Sequence, residues 1–153
     1  ELINKKSYLR TPQNITFNNN ESERNCMWEA SHDGYKKNFN KIIKRKLYID
    51  KKDHNINGED SIISTKFTSK KMIYHIRFHL MPSCNCILTN NKKIILIKTK
   101  NKQSIIFNSN SKLNIEDSII INQDNKIQYS KQIVISGYAD NTKKTIKWSI
   151  NIS

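Results

Sequence analysis

The chain has 153 residues and a formal net charge of +14, and hydrophobic residues make up 36% of it. This length suits a single domain, and because no run of roughly 18 apolar residues is present, the sequence predicts no membrane insertion. The charge is typical of a protein with a polyanionic partner, but Lys, Asn and Ile are enriched together throughout, so compositional bias explains it equally well.

Cysteine usage and the first residue bear on the context of the chain. Cys26, Cys84 and Cys86 are odd in number, and the Cys84-Asn85-Cys86 spacing is shorter than the CxxC of metal and redox sites. We therefore predict neither a disulfide framework nor a metal site. The chain begins at Glu1 with no signal-peptide pattern after it, so we expect an internal or C-terminal piece of a longer protein.

Short runs rich in β-branched and aromatic residues recur along the whole chain, separated by clusters of Asn, Asp, Ser, Gly and Lys. This pattern predicts an all-β fold, an antiparallel, supersandwich-like β-sandwich of about ten to twelve strands that forms a single domain over residues 1–153. The predicted strands cover residues 14–18, 25–31, 41–49, 61–67, 72–80, 84–89, 93–98, 104–108, 118–122, 131–136 and 144–152.

The first segment that suggests chemistry lies at the end of the second predicted strand, at residues 28–35. Gly34 allows a sharp turn there, and Asp33 can accept hydrogen bonds from backbone amides. His32 or Tyr35 can transfer protons if a cleft lies above them. His32 is therefore a candidate catalytic residue.

The third predicted strand, 41–49, carries Arg45 on a face that is otherwise apolar. An arginine on a buried face requires an acidic partner, and the sequence offers Asp33, Glu59 and Asp60. Two interpretations remain open for Arg45, namely a structural ion pair and a clamp for an anionic substrate.

Alternation along predicted strand 72–80 places His75, Arg77 and His79 on one face, opposite an apolar face. Two imidazoles that flank a guanidinium form a donor-rich row suited to a carboxylated sugar or a phosphate. A metal site at His75 and His79 would need further ligands, and Arg77 between them would repel a cation. An ordinary solvent-exposed sheet face is the alternative.

Other function classes lack support in the sequence. No serine-hydrolase elbow, P-loop, dinucleotide fingerprint or zinc-finger spacing occurs. Aromatic residues are few and do not interleave with the basic ones, so we expect no nucleic-acid partner.

Four sequence motifs occur in a characteristic order, WEASHDGY at 28–35, FNKIIKRKLYI at 39–49, GED at 58–60 and IRFHLMPS at 76–83. They resemble the C-terminal β-sandwich of the heparinase II/III-like polysaccharide lyases, whose members read (E)A-(S)HDGY, HRRRLY, GED and RFHLHP. The segments QIVISG at 132–137 and IKWS at 146–149 are similar as well. Ile43 and Met81 stand where the family pattern has histidines, whereas His79 matches the first histidine of the last motif.

The resemblance implies an N-terminal helical toroid followed by β-sheet layers, with the active site in the cleft between them. It also implies cleavage of uronic-acid-containing polysaccharides by β-elimination. In that reaction a carboxylate is neutralised, a base removes the C5 proton and an acid protonates the leaving glycosidic oxygen. The toroid and the family's GHAHAD-like and HNT-like motifs do not occur in this sequence. We therefore expect most catalytic residues upstream, and we expect the isolated chain to be inactive.

The resemblance also sets the expected partners, which are an acidic polysaccharide and the upstream helical toroid. Arg45, Arg77 and His79 are the candidate substrate-binding residues, and His32 is the candidate catalytic residue. This segment requires no cofactor, and a divalent metal in the full-length protein stays open. We expect a location in the cell envelope or periplasm, with the cytoplasm as the alternative because the cysteines suggest free thiols. The competing interpretation is a noncatalytic carbohydrate-binding or structural β-sandwich.

Overall fold

A computed structural model describes residues 11–67 and 71–152 of the chain. The elements in these residues are β1 (Ile15–Glu21), β2 (Asn25–His32), α1 (Lys36–Phe39), β3 (Lys41–Asp50), β4 (Asn55–Ser64), β5 (Met72–His79), β6 (Asn85–Leu88), β7 (Ile94–Lys98), β8 (Ser104–Ser109), β9 (Leu113–Ile121), β10 (Ile127–Ala139) and β11 (Lys144–Ile152). The predicted all-β sandwich is confirmed. The two ends of the predicted domain, 1–153, lie outside the described residues.

The strands form two sheets. One has eight strands in the order β1-β2-β3-β4-β11-β8-β7-β6, and the other has three strands in the order β5-β10-β9. The pairs β1/β2, β2/β3, β3/β4, β6/β7, β7/β8, β8/β11 and β9/β10 are antiparallel. The described residues form two compact units, the first within 11–67, 71–72 and 138–147 and the second within 73–137 and 148–152.

In the first unit, β1 to β4 form an antiparallel meander. β3 and β4 pair along their full length, from Lys41 opposite Ser64 to Asp50 opposite Asn55. Lys41 is buried, and its ammonium donates hydrogen bonds to the Ser64 hydroxyl and to the backbone carbonyl of Asp140. Because a buried ammonium is costly unless it is hydrogen-bonded, these contacts fix the start of β3.

In the second unit, apolar side chains of the two sheets pack face to face. The Phe78 ring of β5 meets Phe107 and Trp148 edge-on, with ring centroids 4.9 and 4.8 Å apart. Ile133 and Ile135 of β10 are fully buried. Burial of one such side chain stabilises a fold by about 1.5–3 kcal/mol, and the ring contacts hold β5 against β8 and β11.

Gly137 permits a close approach between β10 and the ring of Tyr74. A Cβ atom at this position would lie 2.5 Å from the Tyr74 hydroxyl oxygen and 2.8 Å from Cζ. Burial raises the pKa of the Tyr74 hydroxyl, which also forms a hydrogen bond with Ser111. The absence of a side chain at Gly137 therefore leaves room for the Tyr74 ring, which lies on the face of β5 opposite His75.

Several predicted strand boundaries are wrong. β4 begins at Asn55 rather than at residue 61, β9 begins at Leu113 rather than at 118, and β10 covers Ile127–Ala139 rather than 131–136. The strand residues that the prediction left out include Asn, Asp, Glu, Gln and Gly. By themselves these residues favour turns or have only a weak preference for strands. Pairing with a neighbouring strand overrides that preference. The short helix α1 was not predicted either.

Candidate functional site

Three polar side chains lie in one row on the exposed side of β5. His75, Arg77 and His79 are exposed, and Phe78, one of the alternate residues, faces the core. We call these three residues the outer row. Neighbouring members are roughly 7 Å apart along the strand, because side chains on one face repeat every two residues. The face predicted for each of the three residues is confirmed.

Each member of the outer row contacts a side chain of another strand. His75 Nδ1 lies 2.8 Å from the Ser136 hydroxyl, and His79 Nδ1 lies 2.8 Å from the Ser118 hydroxyl. Arg77 Nη1 donates a hydrogen bond of 2.7 Å to Glu116. The serine contacts engage Nδ1 of both rings, so Nε2 is the ring nitrogen left to meet a ligand.

Two of these contacts cross the central strand of the three-stranded sheet. Arg77 and His79 belong to β5, whereas Glu116 and Ser118 belong to β9, and β10 lies between them. Val134 of β10 is 1% exposed although it shares the outer face with these side chains. The Arg77–Glu116 pair therefore forms part of a cover over the middle of β10.

Gln132 lies on the same face, directly opposite Glu116 in the β9–β10 register. It is 8% exposed, and its Nε2 donates a hydrogen bond of 3.1 Å to the backbone carbonyl of Asp117. Its Oε1 is buried and has no hydrogen-bond partner among the described residues. A buried acceptor without a donor costs about 1–3 kcal/mol, so this oxygen is a place where a ligand hydroxyl or water would be stabilised.

Arg45 is engaged by Asp60, its register partner on β4. Its Nε donates a hydrogen bond of 2.6 Å to Oδ1 and its Nη2 one of 2.9 Å to Oδ2. The Asp60 side chain is 7% exposed and the Arg45 side chain 40% exposed. Of the three acids that the sequence offered, Asp60 is the partner. The geometry is that of a structural ion pair, and substrate binding by Arg45 stays a prediction.

The basic triplet 44–46 does not form one basic patch. Lys44 and Lys46 lie on the face of β3 opposite Arg45, and both contact Glu29, at 2.5 and 3.0 Å. Hydrogen bonds from the two ammonium groups hold the pKa of Glu29 below its usual range. Each charge of the triplet thus has a carboxylate beside it.

His32 lies at the end of β2, next to a turn that is held by hydrogen bonds from the residues just before β1. Its Nδ1 accepts a hydrogen bond of 3.3 Å from the Gly34 amide, and its ring centroid is 5.7 Å from that of Tyr35. Asp33 accepts hydrogen bonds from the amides of Gln13 and Asn14 and from the Asn14 side chain. Those bonds, chiefly the ones from Asn14, lower the pKa of Asp33.

The structure thus divides the predicted site residues into two groups. The outer row lies in the second unit, whereas His32 and Arg45 lie in the first. His32 and Arg45 share one face of their sheet, because Ala30, two residues before His32, is the register partner of Arg45. A catalytic role for His32 and substrate binding by Arg77 and His79 stay predictions.

Sequence reasoning missed the partners of the outer row, which are Glu116, Ser118 and Ser136, and it missed the buried Gln132 on the same face. Alternation of polar and apolar residues from 113 to 118 was the available signal, because Leu113 and Ile115 point to one face. Which polar residues meet the outer row depends on the β9–β10 register, which no local pattern reveals.

Metal ligands, cysteines and membrane-spanning helices were also considered among the described residues. They contain no group of three or more His, Cys, Asp or Glu that could hold a metal ion. The cysteines at 26, 84 and 86 are free thiols, and burial raises the pKa of Cys86. Among the helices described, none is long and apolar enough to cross a membrane.

A family match covers nearly the whole chain. The model of the family described as heparinase II/III-like, C-terminal, matches residues 6–149. The chain belongs to the heparinase II/III-like family. The resemblance carried by the motifs at 28–35, 39–49, 58–60 and 76–83 is thereby confirmed. No curated protein sequence matches the chain significantly.

Solved structures share the fold of this heparinase II/III-like chain. The heparan sulfate lyase HepC from Pedobacter heparinus has a TM-score of 0.77 at 11% identity, over 90% of this chain and 21% of its own. A heparinase III with methylated lysines has a TM-score of 0.74 at 10% identity, over 91% and 21%. Another heparinase III has a TM-score of 0.66 at 13% identity, over 90% and 21%. The chain therefore spans about a fifth of the length of these proteins.

The positions where this heparinase II/III-like chain departs from its family pattern lie beside candidate residues. Ile43, which stands in place of a histidine, is the register partner of His32. Met81, which stands in place of the second histidine of its motif, is exposed just after β5. Any site that uses those two histidines is altered here, whereas His79 stays in the outer row.

Proposed function

We propose that this chain is the C-terminal part of a polysaccharide lyase that cleaves an acidic, uronic-acid-containing polysaccharide, heparin- or heparan-like or another, by β-elimination. The family match over residues 6–149 carries the proposal. The shared fold with a heparan sulfate lyase over 90% of the chain supports it. In this proposal a helical toroid precedes the chain and supplies most catalytic residues, and the chain supports substrate binding.

The chemistry of β-elimination sets what this chain must contribute. A base removes the proton from C5, the bond from C4 to the glycosidic oxygen breaks, and an acid protonates that oxygen as the C4–C5 double bond forms. Negative charge develops on the uronate as the proton leaves, so cations and hydrogen-bond donors must face it. Arg77 and His79 present such donors on an exposed face. His32 is retained as the proton-transfer candidate within this chain.

The charge of the chain also suits a polyanionic substrate. A formal charge of +14 raises the local concentration of an acidic polymer and speeds its binding, and this effect weakens as salt is added. The bulk charge does not select one polysaccharide. Selection falls to the side chains that are held in defined positions, such as the outer row with its serine and glutamate contacts.

A binding comparison tests the supporting role. Arg77→Ala and His79→Ala should each weaken binding of a heparin oligosaccharide several-fold while thermal unfolding changes little, because both side chains are exposed. Arg24→Ala is the matched control, since it removes one cation that is paired on the surface of the other unit. Equal losses in all three variants, or a large loss of stability in the first two, would assign the outer row no specific role in binding.

A noncatalytic carbohydrate-binding or structural β-sandwich is the second candidate. The pairing of Arg45 with Asp60 and of Arg77 with Glu116 favours it, because both guanidinium groups already have an acidic partner within the fold.

We propose the cell envelope or periplasm as the location, since extracellular polysaccharides are met there. The cytoplasm is the alternative because the cysteines are free. Fractionation with an antibody against the chain separates these two.

A further inference from the structure

The partner of Arg77 has the chemistry of the proposed ligand. Glu116 presents one carboxylate to the guanidinium at 2.7 Å, and a uronate would present the same group. Both side chains are partly exposed, at 39% and 40%. An ion pair of this exposure is weak, with a typical worth of about 0–1 kcal/mol, so an external carboxylate can compete with it.

Glu116 is the only anion that β9 and β10 place beside Arg77 on their outer face, among the described residues. Among the described residues on the outer face of β9 and β10, it is the one charged side chain, and the neighbours that contact the outer row are serines. Lys131 and Asp117 form their own ion pair and point to the opposite side, because they sit one position away from Gln132 and Glu116 in the register. No second carboxylate of these strands replaces Glu116 at Arg77.

The buried carbonyl of Gln132 supplies an independent observation. Its Oε1 lacks a donor among the described residues, and the strand that carries it runs beneath the Arg77–Glu116 contact. A sugar ring carries hydroxyl donors next to its carboxylate. A uronic acid that replaced Glu116 at Arg77 would therefore bring the kind of donor that Gln132 lacks.

We propose that Glu116 occupies the guanidinium of Arg77 when no substrate is bound, and that a uronate carboxylate of the acidic polysaccharide displaces it. This inference rests on the proposed function, because it takes the same class of ligand. Arg77 then binds the uronate, the Nε2 atoms of His75 and His79 face the polymer on either side, and Gln132 accepts a hydroxyl. Glu116 lowers the affinity and limits binding to ligands that offer a carboxylate in its place.

Substitution of the competitor should strengthen binding. Glu116→Gln should tighten binding of an oligogalacturonate, which carries carboxylates and no sulfates, by about two- to fivefold in calorimetry at near-physiological salt. Asp117→Asn is the matched control, because it removes one negative charge from the adjacent position of the same strand on the opposite face. That control should change affinity by less than about 1.5-fold, since exposed charges are largely screened.

A second substitution separates displacement at Arg77 from a bulk charge effect. Arg77→Gln should weaken binding about tenfold, and in that background Glu116→Gln should give no gain, because the two residues act through each other. Equal gains from Glu116→Gln and Asp117→Asn, or a gain that persists without Arg77, would overturn the inference. So would the absence of binding by all variants.

The proposed function has a separate readout. Suppose that the complete protein has lyase activity and that Glu116→Gln does not change the affinity for oligogalacturonate. This result would overturn the proposed displacement of Glu116 from Arg77 and would leave the lyase proposal standing. Tighter binding by Glu116→Gln in a protein that releases no unsaturated products would support the carboxylate site and contradict the lyase proposal.

Discussion

Replacement of Arg45 by methionine tests whether this residue holds the fold or is available to a substrate. The change removes the guanidinium and keeps most of the apolar stem. It leaves the carboxylate of Asp60, whose side chain is 7% exposed, without the fork that now bonds both of its oxygens at 2.6 and 2.9 Å. The buried charge then has to be accommodated in the middle of the β3–β4 ladder.

The expected loss follows from the burial of the two partners. Removing one member of a buried ion pair costs about 3–5 kcal/mol, because the remaining charge stays desolvated. Arg45 itself is 40% exposed, so water can partly reach the site and the lower end applies. We therefore expect a loss of about 3 kcal/mol in the free energy of unfolding. The double variant Arg45→Met with Asp60→Leu should recover most of that loss, since no charge remains buried.

Urea unfolding at neutral pH, followed by tryptophan fluorescence, measures the effect through the midpoint at constant slope. Arg24→Met is the control, because its contacts with Asp50 and Asp53 at 3.4 and 3.6 Å are exposed and should contribute less than about 1 kcal/mol. A loss for Arg45→Met as small as the control's would refute the structural assignment. Of the two interpretations of Arg45, only the substrate clamp would then remain.

Two further variants test other parts of the fold. Gly137→Ala should cost about 1–3 kcal/mol, because the new methyl group would lie 2.5 Å from the Tyr74 hydroxyl oxygen; an unchanged urea midpoint would show that the ring moves aside freely. Hydrogen bonds lower the pKa of Asp33 in the folded chain, so its contribution is present above the unfolded value of about 3.9 and is lost as the pH falls through the folded value. Asp33→Asn should therefore be less stable than the parent near pH 7, and the two should converge near pH 2; a constant difference across that range would contradict the assignment.

The faces of β5 could be predicted because alternation is a property of the strand itself. His75, Arg77 and His79 repeat every two residues, and so do the apolar residues between them, so the exposed row was visible without any partner. Its contacts with Glu116, Ser118 and Ser136 were not, because they depend on how β9 and β10 align with it. Of the three acids offered to Arg45, only the β3–β4 register selects Asp60.

The errors at strand ends have the same origin. The residues 55–58 of β4 read Asn-Ile-Asn-Gly, which by itself is typical of a turn, yet they pair with β3 through Asp50 opposite Asn55. Residues of β9 before 118 mix Asn, Glu and Asp with apolar residues and were passed over in the same way. Local propensity is weak in strands, and the pairing partner decides.

Release of unsaturated uronates by the complete protein addresses the proposed reaction itself. β-Elimination leaves a C4–C5 double bond conjugated to the carboxylate, which is followed as ultraviolet absorbance during incubation with heparin, heparan sulfate and other acidic polysaccharides. We predict a rise in absorbance on at least one of them, and none from the 153-residue chain alone. No rise on any acidic polysaccharide of a broad panel would contradict the lyase proposal, and a rise from the chain alone would contradict the upstream placement of the catalytic residues.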